Sequence, residues 1–174
     1  MSEALKITLT ALVGVVVFVI GQVVVKFLIE PLQEQKKLLG EIAGSLVFYS
    51  NVGAGMEQHY YEQIKALNKS DDPLKEIAID RYRDILRNHW RKSDEASTTL
   101  RRQASELLGK THAVPLYAFW SFLGRVPKID DVVAASTQLI GMSNSTHGQS
   151  SFGSRIEQIV RLLNLKPLAK QLGI

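Results

Sequence analysis

The chain has 174 residues, 45% of them hydrophobic, and no cysteine. The absence of thiols removes disulfide scaffolds and thiolate metal sites from consideration and fits a reducing compartment. The formal net charge of +4 is local: from Arg81 to Arg102 seven basic residues stand against three acidic ones, so the remainder is balanced, which argues against a nucleic-acid-binding chain.

Residues 1–6 form a short N-terminus. The stretch from Ile7 to Val25, ITLTALVGVVVFVIGQVVV, has no charged residue and is closed by Lys6 and Lys26. At ~1.5 Å per residue it rises about 28 Å, close to the hydrocarbon thickness of a bilayer. With the Lys26 ammonium snorkelling outward, Phe27, Leu28 and Ile29 extend the apolar span, so a transmembrane helix is expected over 7–29. A cleaved signal peptide would need a basic leader, a shorter apolar core and a small-residue cleavage site, and neither MSEALK nor Lys26-Phe27-Leu28-Ile29-Glu30-Pro31 supplies them. A buried core helix would be unusual, because the segment is apolar on every face. One lysine precedes the span, whereas Lys26, Lys36 and Lys37 follow it. That bias predicts a single-pass protein of the cell (cytoplasmic) membrane, with residues 30–174 in the cytoplasm. Ala11, Gly14 and Gly21 share a face, and Gln22 is polar, so self-association through the membrane helix is a candidate partnership.

Pro31 suits a helix start or a slight bend as the chain leaves the lipid. Leu32, Leu39, Ile42, Ala43, Leu46 and Tyr49 then keep helical spacing, and residues 51–55 (NVGAG) break it. Met56 to Leu67 is expected to form a second helix. Asp72-Pro73 signals a third, with an N-cap acceptor followed by proline. Ser93-Asp94-Glu95 either caps a fresh helix or sits within this one, and Gly109 is the expected stop. Pro115 and Pro127 bracket a short apolar segment. A helix is expected over 130–142, with Asp130 and Asp131 at its positive end. Ser154-Arg155-Ile156-Glu157 has capping-box spacing for a last helix, with Pro167 as its end. No strand alternation or solenoid repeat is visible. The expected fold class is therefore all-α: one N-terminal transmembrane helix followed by a helical bundle of about five helices.

LRRQASELLGK, VPLYAFWSFLGRVPK and VVAASTQLIGMSNS follow one another from Leu100 onward. In that order, and in the segment from Leu139 to Ser145 above all, the chain resembles a group of uncharacterised bacterial membrane proteins with an N-terminal membrane helix. The resemblance implies a bacterial cytoplasmic-membrane protein and carries no activity or catalytic residue with it.

No catalytic, cofactor-binding or metal-binding set is legible. His59, His89, His112 and His147 fall in no metal-ligand spacing, and the pair His59/Glu62 is too few. Asp71/Asp72 and Asp130/Asp131 are explained by helix capping and the helix dipole. No phosphate loop or nucleophile elbow is present. Two surface candidates remain, each beside a plainer reading. Arg83, Arg87 and Arg91, with Lys92, form a basic stripe that either contacts anionic lipid or is a solvated face paired with Asp80 and Asp84. Tyr117, Phe119, Trp120 and Phe122 form either a core helix or a helix lying in the membrane interface. The sequence thus reads as a non-catalytic, bilayer-anchored interaction or scaffold protein. The alternative is a membrane-tethered enzyme or effector whose site is not visible in the sequence.

Overall fold

The computed structural model describes residues 3–50, 56–145, 152–165 and 168–170. Among them there are seven α-helices and no strand: α1 (Glu3–Val24), α2 (Glu30–Tyr49), α3 (Met56–Asn68), α4 (Lys75–Ala113), α5 (Tyr117–Phe122), α6 (Ile129–Asn144) and α7 (Phe152–Leu162). The architecture is all-α, as expected.

A π-helical turn, Val25–Ile29, joins α1 to α2, so the first helix runs without a break into the domain. The cause is Pro31, which has no N–H to donate to the Phe27 carbonyl. The ladder widens there, and the Glu30 N–H donates to the Val25 carbonyl five residues back. The side chains described along α1 are exposed, and this helix is long and apolar enough to cross a membrane. Thr8 and Thr10 donate their hydroxyls to the carbonyls of Ala4 (2.9 Å) and Lys6 (3.0 Å), so neither brings an unsatisfied donor into an apolar setting.

The core is built by α2, α4, α6 and α7. Leu38, Ile42 and Leu46 of α2 meet Leu100, Ala104 and Leu107 of α4, and Val132, Ala135, Leu139 and Met142 of α6. Ile156, Ile159, Val160 and Leu163 close it from the C-terminal side. These positions recur at three- and four-residue intervals, which is the periodicity that gives each helix one apolar stripe. Helix α3 packs on the N-terminal half of α4, where Tyr60 meets Tyr82 and Tyr61 meets Trp90.

Several helix ends differ from the sequence expectation. Of the two readings of Ser93-Asp94-Glu95 the mid-helix one holds, with Ser93 buried within α4 and one helix running through. Gly109 does not stop it. The helix continues to Ala113, and Pro115 ends it by forcing Val114 into an extended conformation (φ −78, ψ 113). Asp72 does act at the start of α4, where its Oδ1 accepts the Leu74 N–H at 2.8 Å, although the regular helix begins only at Lys75. Helix α7 begins at Phe152, which puts Ser154 inside it rather than at its cap. It ends at Asn164, not Pro167: Asn164 is left-handed (φ 53), and the Leu165 N–H reaches back to the Val160 carbonyl in a Schellman closure. The expected break at 51–55 lies outside the described residues; the polar run 143–151, which reads as a solvated loop in the sequence, begins inside α6 with Ser143 buried, and its residues 146–151 also lie outside them.

Candidate functional site

The end of the bundle nearest α1 holds a buried polar network. Gln35 of α2 is fully buried. Its Nε2 donates to the Thr111 Oγ1 of α4 and to the Tyr117 hydroxyl of α5, both at 3.1 Å. Each hydroxyl passes its own proton onward, Thr111 to the Leu107 carbonyl (2.7 Å) and Tyr117 to the Pro127 carbonyl (2.8 Å). Both therefore accept from Gln35, which fixes the amide orientation and leaves Gln35 Oε1 buried without a partner. Burial pushes the Tyr117 phenol above its ordinary 10.0. The hydrogen bonds with Gln35 and Thr111 oppose that shift, and the charge of Asp131 adds to it. This network ties α5 to the first two turns of α2, just beyond the apolar span.

Beside it, Val114, Tyr117 and Val126 make a small apolar cluster against which Leu32 and Trp120 pack. Tyr117 and Trp120 thus form the inward side of α5. Its other side is open: Phe119 is 52% exposed, Phe122 87%, and the flanking Leu116 and Leu123 are 67% and 48% exposed. Of the four aromatic candidates, Tyr117 follows the core reading as an interior residue, and Trp120 is half-buried with its Nε1 enclosed and unpaired. Phe119 and Phe122 remain as surface residues. Sequence reading missed the equally exposed Leu116 and Leu123, and also the part played by Gln35. A lone glutamine on a helix gives no signal until its partners 76 and 82 residues away are brought to it.

The basic stripe is formed as expected: Arg83 pairs with Asp80 and Arg87 with Asp84, both at 3.1 Å, and all four side chains are well exposed. It lies toward the end of the bundle farthest from α1. Helices α2 and α4 are antiparallel, since Gln35 meets Thr111, Ser45 meets Gln103 (2.8 Å), and Tyr49 packs on Ala96. At ~1.5 Å per residue this register puts Arg83–Lys92 roughly 40–50 Å along the helices from Ile29. The cations near the α1 end include Lys36 and Lys37 beside Gln35, Lys110, paired with Glu34 at 3.7 Å, and the exposed Arg125 and Lys128.

The segment Leu139–Ser145, singled out by its resemblance, holds helices together. Leu139 and Met142 are core residues. Ser143 and Asn144 accept from the Arg101 guanidinium of α4 at 3.2 and 2.9 Å. Gly141 leaves room for the Arg155 guanidinium of α7, which donates to Gln138 at 2.9 Å and would collide with a Cβ there.

Two further surfaces could receive a partner. An open groove of about 380 Å³ lies between α2 and α4, lined by Glu41, Ser45, Phe48, Tyr49, Thr99 and Arg102 among others. On α6, Ile129, Val133 and Ile140 are 43–46% exposed and share one helical stripe that flanks the core-facing side. Among the described residues no group of three or more histidines, aspartates or glutamates is placed to hold a metal ion. No protein-family model, curated protein or solved structure matches the chain.

Proposed function

We propose that this is a non-catalytic interaction module held at the cytoplasmic membrane by its first helix, with the helical domain in the cytoplasm. The observation that carries the interaction reading is the apolar stripe Ile129–Val133–Ile140. It lies on the same helix that supplies Val132, Ala135, Leu139 and Met142 to the core, and nothing among the described residues covers it. A helix that exposes apolar residues beside its core-facing side offers a surface on which a second partner can pack. Among the described residues, Gln35, Arg101, Gln103 and Ser136 use their polar groups in helix-to-helix bonds, which supports a structural use of these side chains.

The test is a photo-activated cross-linker placed in the full-length chain at Val133 or Ile140, with Thr98 as the exposed polar control. A discrete protein adduct from the two α6 positions, absent at Thr98, is the expected result. Equal labelling at all three positions would remove the basis for the module reading and return weight to a membrane-tethered enzyme or effector.

A further inference from the structure

Helix α5 is fixed at the level where the first helix leaves the apolar span. Leu32, which packs against the α5 cluster, is only three residues beyond Ile29, or about 5 Å of helix rise. Gln35, one turn further, holds Tyr117 and, through Thr111, the end of α4. The headgroup layer of a bilayer is itself roughly 5–7 Å deep on each side. A short helix tethered there would sit inside that layer.

The exposed residues of α5 match this position. Leu116, Phe119, Phe122 and Leu123 are four exposed apolar residues within eight positions, whereas Val47, Phe48, Tyr61, Ile77 and Trp90, also exposed, lie toward the end of the bundle away from α1. Leu116 is left-handed (φ 53), a conformation that glycine adopts more cheaply, so an apolar side chain is kept there against a backbone cost. Lys110, Arg125 and Lys128 flank the surface at the depth where lipid phosphates lie. Glu30, Glu34, Asp130 and Asp131 are also at this end, so attachment would depend on apolar insertion more than on charge.

We propose that α5 is an interfacial helix, inserting Leu116, Phe119, Phe122 and Leu123 among the acyl chains of the same bilayer that the first helix crosses. The chain would then hold the membrane at two points, and the Gln35–Tyr117 bond would transmit the tilt of the anchor to the domain. This inference rests on the first helix being a membrane span. Because the protein has no cysteine, single labels can be introduced directly.

The experiment places a fluorophore at Val16→Cys, Phe122→Cys or Thr98→Cys of the full-length chain, reconstituted in phosphatidylcholine–phosphatidylglycerol vesicles carrying brominated acyl chains. Quenching several-fold stronger at 16 and at 122 than at 98 is the expected result. Quenching at 16 but not at 122 would overturn the interfacial role of α5 and leave the anchor standing. No quenching at 16 would overturn the anchor and this inference with it. A disulfide-linked dimer of unlabelled Phe122→Cys in the same vesicles would assign the apolar surface to a second copy of the chain and overturn the lipid reading.

Discussion

Tyr117 illustrates how one side chain couples three helices and a turn. Its hydroxyl donates to Pro127 and accepts from Gln35 in a site that excludes most water. Tyr117→Phe keeps the ring packing but leaves the Pro127 carbonyl and one Gln35 N–H without partners, so a loss of about 1–3 kcal/mol is expected. Gln35→Met should cost less, within about 1 kcal/mol, because both hydroxyls keep their donor bonds and the unpaired Oε1 disappears. Chemical unfolding of the full-length variants in one detergent checks the order. The difference between wild type and Tyr117→Phe should also narrow at alkaline pH. The folded phenol keeps its proton above 10.0, while in the unfolded chain it ionises near that value. The native state then binds more protons, and stability falls as pH rises beyond about 10. A gap that stayed constant from neutral pH to well above 10 would contradict the burial of this phenol.

At the scale of elements, α5 separates what pattern can show from what packing decides. Its aromatic content and bracketing prolines are plain in the sequence, and so is its shortness. Which residues it buries is not, because that depends on Leu32 and Val126 arriving from distant parts of the chain. Neither of the two readings of this segment describes it alone, since the inward side is core and the outward side is free. Trp120→Ala should therefore cost roughly 2 kcal/mol, less than the ~3–5 kcal/mol of a fully enclosed aromatic. Phe122→Ala should change stability by no more than about 0.5 kcal/mol. Thermal melts of both variants check this, and a large loss at Phe122 would mean that the outward side is packed. Helix ends were hidden for a similar reason. Gly109 has the conformational freedom to stop α4, but Leu107 and Thr111 are buried against neighbouring elements, and only Pro115 makes continuation impossible.

At the scale of the molecule, the long first helix was legible because length and polarity alone decide whether a segment is able to cross a bilayer, and both are read directly from the sequence. The basic stripe was legible as a stripe, through its four-residue spacing, but not as a location. The antiparallel register of α2 and α4 carries it to the end of the bundle away from the anchor. A separation of roughly 40 Å or more far exceeds the ~8 Å Debye length at physiological salt. Reversing charge with Arg83→Glu and Arg87→Glu should then leave the affinity of the full-length chain for phosphatidylglycerol-rich over neutral vesicles unchanged, within the error of a flotation assay. A clear loss of that preference would bring the stripe back to the membrane surface.

The remaining whole-molecule expectation concerns attachment and sidedness together. The full-length chain should stay in the pellet after alkaline carbonate extraction, because the apolar helix offers no water-soluble alternative to the lipid. A chain beginning at Glu30 keeps Leu32, Gln35 and the whole core, so it should fold and be released by the same treatment. Release is expected even though α5 still exposes Phe119 and Phe122, since so small an apolar surface binds a membrane reversibly. Sidedness follows from the lysines: Lys26, Lys36 and Lys37 border the domain side of the span and Lys6 alone the other. A reporter that is active only in the cytoplasm, fused after Ile174, should give signal, and one active only outside should not. Retention in the pellet with the opposite reporter pattern would keep the anchor and reverse the domain. It would also place the α6 stripe on the outer side, where a different set of partners could reach it.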